Sequence, residues 1–154
     1  MNVENFVPMR FIEVKINEQI QQKLVPAVHN LLFVKATKEE ITELKTSSIL
    51  SSQIRYLMDH STHRPLVIPE KQMIDFIAIS RQYEQPVLYV DPQEIALKKG
   101  DRVRIISGIW KGVEGKFVRI KKGLRVVITI PGVAAVATAS IPPSFVEKIN
   151  ENEE

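Results

Sequence analysis

The sequence contains no cysteine, which excludes disulfide bonds, thiolate metal sites and cysteine nucleophiles. It has three histidines, of which His60 and His63 are closely spaced. A single neighbouring carboxylate, Asp59, is readily found by chance, so no metal site is predicted. No glycine-rich loop opens a helix in the manner of a phosphate-binding loop, and the serine pairs Ser47-Ser48 and Ser51-Ser52 have no general-base signature beside them. We therefore predict a protein that is not an enzyme and carries no cofactor.

Long apolar runs are also missing. No segment approaches the roughly 20 residues that a membrane-spanning helix needs. The first ten residues lack the basic start and apolar centre of a secretion signal. Together with the missing cysteines, these features lead us to expect a cytoplasmic protein that does not bind membranes.

Charge is unevenly distributed along the 154 residues. Residues 1–97 carry ten Lys or Arg against twelve Asp or Glu, whereas residues 98–149 carry eleven against three. The last five residues, 150–154, include three glutamates and are expected to fray. A basic segment can attract nucleic-acid phosphates, and the alternative is that its cations only solvate the outer faces of strands.

The basic segment has the pattern of a small β-rich domain. After the Gly100-Asp101 turn, apolar Val103 and Ile105 alternate with arginines, as in a half-buried strand. Lys121-Lys122-Gly123 is typical of a hairpin turn. About five short strands separated by turns predict a small barrel; after the first, they fall at residues 113–120, 124–130, 133–139 and 145–149.

The first 85 residues alternate between strand and helix signals, which predicts an α+β fold. Predicted strands cover residues 6–16, 30–34, 53–58 and 66–68, and residues 17–22 are polar and turn-like.

Two helices are expected between these strands. Thr37 with Glu40 three residues later is a capping box, and its helix is predicted to end near Ser47. Pro69 suits the first turn of a second helix that extends to about Tyr83. Ile74 and Ile79 fall outside its predicted apolar side, which is formed by Met73, Phe76, Ile77, Ser80 and Tyr83.

Several of these segments resemble one family. The pattern from Gly100 to Gly115, Gly-Asp-x-Val-x-Ile-x-x-Gly-x-x-x-Gly-x-x-Gly, resembles the KOW motif, which implies an SH3-like barrel. Residues 30–34, Asn-Leu-Leu-Phe-Val, resemble the central strand of the N-terminal domain of NusG-type transcription factors. The closest likeness is to the UpxY-type antiterminators, and it extends to Phe6–Met9, Arg64–Pro69, Ala134–Ala139 and Ile141–Pro143.

The resemblance implies a domain order. Residues 1–85 would be a partial NusG N-terminal-type antiparallel sheet with helices, 86–97 a linker and 98–149 the KOW barrel, followed by the acidic tail 150–154. In the family, a strand and a helix precede the equivalent of residues 6–16. We therefore expect an N-terminal-like domain that lacks these two elements and leaves a sheet edge unpaired.

The resemblance also implies a function. A NusG-type antiterminator binds the clamp helices of RNA polymerase and suppresses pausing or termination, here at polysaccharide biosynthesis operons. Mapped onto this chain, the apolar polymerase pocket would contain Val28, Leu31, Phe33, Tyr56, Met73 and Phe76. Thr42 and Glu43 would make a second polymerase contact.

The KOW domain would bind a second partner, namely the ribosome, a termination factor or nucleic acid. Its candidate contacts are Arg102, Arg104, Ile109, Trp110, Lys111, Lys121, Lys122 and Phe145, of which Ile109, Trp110 and Phe145 are expected to be exposed and apolar. The alternative for Trp110 is that it only packs as a lid over one end of the barrel.

Two alternatives stay open at this point. The chain can be an RNA-binding KOW module of the ribosomal type, with its basic segment on RNA phosphates. It can also be an inactive fragment of a split antiterminator. Phosphate binding weakens steeply with salt, whereas docking through apolar anchors does not, so salt dependence distinguishes the first alternative from polymerase binding.

Overall fold

A computed structural model describes residues 3–47, 53–83 and 85–150 of the chain. Within these ranges the fold is mixed α+β, as the alternation of strand and helix signals predicts. None of the helices described there is long and apolar enough to cross a membrane.

The elements of the first half are short, apart from one hairpin and two helices. In chain order they are β1 (Glu4–Phe6), β2 (Met9–Ile16), β3 (Gln19–Pro26), β4 (Phe33–Lys35), α1 (Lys38–Thr46), β5 (Met58–Asp59), β6 (Arg64–Pro65) and α2 (Glu70–Ser80).

The second half is dominated by strands. It contains β7 (Leu88–Val90), α3 (Pro92–Leu97), β8 (Arg102–Ile105), β9 (Glu114–Ile120), β10 (Gly123–Ile130), β11 (Ala134–Ala137), a 3₁₀ turn (Pro143–Phe145) and β12 (Val146–Lys148).

These elements form two compact units that alternate along the sequence. Unit 1 comprises Met1–Val7 and Asn30–Ile68, and unit 2 comprises Pro8–His29 and Pro69–Glu154.

Unit 1 is built around a short strand pair and one capped helix. β1 pairs antiparallel with β4, which places Phe6 opposite Phe33, and both side chains are buried. The predicted capping box begins α1: the Thr37 hydroxyl accepts a hydrogen bond from the Glu40 N–H at 3.2 Å, and the Glu40 carboxylate accepts one from the Thr37 N–H at 2.9 Å. These two bonds satisfy N–H groups that the first helical turn leaves without partners.

The predicted strand 6–16 is interrupted at Val7-Pro8, and of the predicted strand 30–34 only Phe33 and Val34 lie in a strand. Two further strand predictions, both in unit 1, are wrong in position. Within the predicted strand 53–58 only Met58 is in a strand, and the predicted strand 66–68 is replaced by the two residues of β6. β5 and β6 form a minimal antiparallel pair, with Met58 opposite Pro65. The apolar runs at these positions are too short to distinguish a strand from an extended loop.

A long hairpin, β2–β3, belongs to unit 2. Its turn consists of Asn17 and Glu18, with φ angles of 51° and 65°, the left-handed pair that a type I′ hairpin requires. The prediction that residues 17–22 are turn-like is therefore wrong for residues 19–22, because β3 already begins at Gln19. Nearly all of β3 is exposed, so its polar residues carry no alternation signal that could mark a strand.

The main body of unit 2 is a six-stranded antiparallel sheet in the order β12-β8-β9-β10-β11-β7, and it is not closed. The strands from β8 to β11 follow one another as a meander, and β12 returns to pair with β8. The predicted turn at Lys121-Lys122 is confirmed, since both residues have positive φ and connect β9 directly to β10. β7 comes from the segment predicted as a linker and pairs with β11.

Both faces of this sheet are covered in its centre. Ile95 of α3 packs in one core cluster with alternate residues of the strands, namely Val118, Ile120, Val127, Ala135 and Ala137. The intervening residues Val126, Ile128 and Val136 are buried as well, and α2 packs on β10 and β11. Burial on both sides explains why β10 is apolar almost throughout instead of alternating.

Helix α2 ends at Ser80, three residues before the predicted end, and its buried stripe differs from the predicted one. Phe76 and Ser80 are buried as expected, but the other two buried positions are Ile79 and Asp75. Tyr83 lies outside the helix and is exposed. The Asp75 carboxylate is tolerated in this position because it accepts hydrogen bonds from Lys71 Nζ at 2.7 Å and from the Glu114 N–H at 3.2 Å.

Candidate functional site

The six residues predicted to form an apolar polymerase pocket divide equally between the two units. Leu31, Phe33 and Tyr56 belong to unit 1, and Val28, Met73 and Phe76 belong to unit 2. Within unit 2, Phe76 is fully buried, whereas Val28 and Met73 are half-buried.

In unit 1 the three candidates differ in accessibility. Phe33 is buried opposite Phe6, whereas Leu31 and Tyr56 are half-buried. The Lys45 ammonium lies 4.0 Å from the centroid of the Tyr56 ring, so one face of that ring is already engaged in a cation–π contact. Leu31 is therefore the candidate of unit 1 whose apolar side chain stands most open to a partner.

Thr42 and Glu43, predicted as a second polymerase contact, are both exposed on α1. They line a shallow, open depression together with Lys38, Glu39 and Thr46. The Thr42 hydroxyl donates to the Lys38 carbonyl oxygen at 2.7 Å, as threonines within helices commonly do. Of the two predicted residues, Glu43 carries the charge on this face, beside the charged side chains of Lys38 and Glu39.

Among the predicted apolar contacts of the sheet region, one is placed as expected and one is not. Ile109 is 60% exposed in the loop between β8 and β9. Trp110 is only 7% exposed, so the prediction that it is exposed is wrong. The burial of the ring agrees with the alternative interpretation that Trp110 serves for packing. Phe145 is half-buried and lies beside Gly108.

The predicted basic contacts of the sheet region fall into two electrostatic environments. At the β12 edge, Arg104 forms ion pairs with Glu114 at 2.9 Å and with Glu147 at 3.0 Å. These carboxylates, Glu114 first, raise the pKa of the Arg104 guanidinium above its ordinary value. Arg102 lies 3.7 Å from the same Glu114. The charges of both arginines are therefore partly neutralised within the sheet.

The second electrostatic environment, at the end of the β9–β10 hairpin, contains cations that are not paired with described carboxylates. Lys121 and Lys122 form the exposed turn, and Arg119 is exposed two residues earlier. The Lys98 ammonium donates to the Arg119 carbonyl oxygen at 3.4 Å, which brings the end of α3 to the same place. We call the set Lys98, Lys99, Arg119, Lys121 and Lys122 the hairpin-end cluster.

No carboxylate of the described residues forms an ion pair with a member of the hairpin-end cluster. Lys111 is likewise exposed and unpaired within the described ranges, in the β8–β9 loop. Lys98 and Lys99 were missed from the sequence, although their position immediately before the Gly100 turn of a basic segment was an available signal. A neighbouring cation of the hairpin, Arg125, instead donates a hydrogen bond to the Thr138 carbonyl oxygen at 2.9 Å.

The loop that contains His60 and His63 is organised by Asp59. Its carboxylate accepts bonds from the Ser61 hydroxyl at 2.6 Å and from the Ser61 N–H at 2.8 Å, and these bonds lower the pKa of Asp59. Over the residues that the structure describes, no group of three or more potential metal ligands comes together.

Comparison with known proteins adds no assignment, since no protein-family model matches the chain and a search of curated proteins finds no match.

Proposed function

We propose that the chain is a transcription elongation factor of the NusG type, which binds RNA polymerase and suppresses pausing or termination. The observation that carries this proposal is the strand series β8–β12, in which the glycines of the KOW-like pattern occupy positions that demand glycine. Gly108 and Gly112 have φ angles of 91° and 96°, and Gly115 is buried where β9 meets β10. A pattern that the structure needs at each glycine is stronger support for the resemblance than a matching spacing alone.

We further propose that these strands form an SH3-like barrel of the KOW type. The return of β12 to pair with β8 supports this, because it places the last strand of the series beside the first. Such a return is the step by which a meander begins to roll into a barrel.

The proposed action is differential binding to one polymerase conformer. Apolar residues of this chain would contact the clamp helices of RNA polymerase. The bound factor would then favour the polymerase conformer with a closed clamp over the paused conformer. A few apolar anchors carry most of the affinity in such interfaces. Leu31 and Tyr56 in unit 1, like Val28 and Met73 in unit 2, are half-buried and are therefore stronger candidates than the buried Phe33 and Phe76.

Replacing Leu31 with aspartate is expected to reduce retention on immobilised RNA polymerase core enzyme at least tenfold, because a charge cannot be buried in an apolar contact without a large cost. The matched control is Val67→Asp, which changes an 85% exposed apolar residue of the same unit that is not predicted to contact polymerase. Circular dichroism verifies that both variants fold. Equal retention of the two variants would exclude Leu31 as an anchor.

A second candidate function, RNA binding through phosphate contacts, is favoured by the hairpin-end cluster. Five cations without carboxylate partners in the described ranges stand at one end of the sheet. Such a cluster attracts a phosphate backbone without reading its sequence.

The double change Lys121→Gln/Lys122→Gln is expected to lower the salt dependence of binding to a single-stranded RNA oligonucleotide. The slope of log K against log salt should fall by about 1.4, because each phosphate contact on a single strand contributes about 0.7. Lys23→Gln/Lys38→Gln removes the same charge from exposed positions elsewhere and should leave the slope nearly unchanged. A slope that both double variants lower equally would show that only net charge matters.

A further inference from the structure

The outer edge of β2 is open for pairing beyond Met9, whose carbonyl oxygen accepts a hydrogen bond from the Tyr89 hydroxyl at 3.4 Å. In the described residues β2 pairs with β3 and with no other strand. In a hairpin with a two-residue turn, the residues that flank the turn form a hydrogen-bonded pair, here Ile16 and Gln19. Hydrogen-bonded and non-hydrogen-bonded pairs alternate along an antiparallel ladder, so the backbone N–H and C=O groups of Ile12, Val14 and Ile16 are directed toward β3. Those of Phe11, Glu13 and Lys15 are directed outward, and none of them makes a hydrogen bond within the described part of the chain. An edge of this kind is a template for another strand.

The charges along this edge are complementary to those of a second, antiparallel copy of the same strand. If a second copy of β2 lies antiparallel across a two-fold axis at Val14, Glu13 stands opposite Lys15 of the second copy. Both side chains are exposed, so each is available for such a contact. The two-fold axis repeats this pair, so Glu13 and Lys15 of both copies each face an opposite charge.

The apolar residues agree with the same register. Val14 faces its own copy and Ile12 faces Ile16 of the second copy, all on one face of the ribbon because residues two apart share a face. Ile16 is exposed, and Ile12 and Val14 are half-buried. The contact would thus combine an apolar row on one face with two Glu–Lys pairs on the other.

Neighbouring two-fold registers lack this complementarity. An axis at Glu13 places that carboxylate opposite its own copy, and an axis at Lys15 does the same for the ammonium. Like charges directly opposite one another destabilise a strand pair. Among these three registers the charge pattern therefore favours the axis at Val14.

We propose that two copies of this chain associate through the outer edges of β2 and form a continuous four-stranded antiparallel sheet in the order β3-β2-β2-β3. The occupant of the edge is a second copy because the pattern of charge and apolar residues is complementary to itself. Such an interface is isologous, so one substitution acts twice. The small contact area is typical of weak, reversible association.

Sedimentation equilibrium of the full chain over a range of concentrations tests the proposal. The wild type should show a monomer–dimer equilibrium, and Glu13→Lys should weaken association about tenfold because it sets lysines opposite each other at two places. Lys15→Glu should weaken it similarly by placing glutamates in opposition. Lys23→Glu, a charge reversal on the other strand of the hairpin, is the control and should dimerise like the wild type.

Charge complementation separates this register from any other contact. A mixture of Glu13→Lys and Lys15→Glu chains should form heterodimers, because each lysine of one chain then faces a glutamate of the other. The double variant Glu13→Lys/Lys15→Glu should regain self-association. A wild type that stays monomeric throughout, a Glu13→Lys variant that dimerises like the wild type, or a mixture that fails to form heterodimers would overturn the proposal.

Discussion

The variant Phe76→Ala is expected to lower the free energy of unfolding by about 3–5 kcal/mol, the usual cost of removing a large aromatic side chain from a packed interior. Phe76 is 0% exposed and lies in α2, which packs on β10 and β11. Urea denaturation followed by the fluorescence of Trp110 measures the effect, since Trp110 is the sole tryptophan and is buried in the same unit.

The matched control lies on the same helix. Ile74 is 54% exposed, so Ile74→Ala should cost less than about 1 kcal/mol. The comparison also bears on function, because the resemblance assigns Phe76 to the polymerase pocket. An exposed docking residue would lose binding on truncation and leave stability unchanged. Near-wild-type stability of Phe76→Ala would thus contradict the placement of α2 on the sheet.

The variant Gly115→Ala is expected to lower the free energy of unfolding by about 2–3 kcal/mol, because the added methyl group has no space. A Cβ atom at this position would lie 2.5 Å from the Val127 carbonyl oxygen and 2.9 Å from Val126 Cγ1. The carbonyl belongs to the backbone of β10, so the strands themselves would have to separate. The same urea denaturation experiment measures the loss.

Gly112→Ala separates crowding from backbone conformation. Gly112 has a φ of 96° and no atom within 4 Å of an added Cβ, so its substitution strains the backbone without a collision. We expect a cost of about 1–2 kcal/mol from that strain. A Gly115→Ala variant as stable as the wild type would show that β9 and β10 are not as close as the structure has them.

Features encoded by neighbouring residues could be predicted from the sequence. The capping box of α1 depends on Thr37 and Glu40 alone, and the β9–β10 turn depends on Lys121 and Lys122. The strands that follow this turn contain runs of β-branched residues, and the length of these runs indicates strands rather than helices. The β2–β3 hairpin was not predicted, because its two-residue turn contains Asn17-Glu18 in place of the usual glycine and its second strand has no buried face.

Features that depend on distant residues could not be predicted. Asp75 is buried because Lys71 and the backbone of Glu114 come to it, and the second of these is a contact that only the tertiary fold creates. The same reason applies to Arg104, whose partner Glu147 lies on β12. Composition shows that residues 98–149 are basic, but only the fold shows that five cations without carboxylate partners in the described ranges lie together in the hairpin-end cluster.

The affinity of the wild-type chain for RNA polymerase core enzyme, measured at low and at high salt, tests the central claim most directly. A factor that docks through apolar anchors such as Leu31 should bind at both salt concentrations with similar affinity, and Leu31→Asp should abolish the complex. Absence of binding at low salt, or binding that disappears at high salt in the manner of phosphate contacts, would contradict the account.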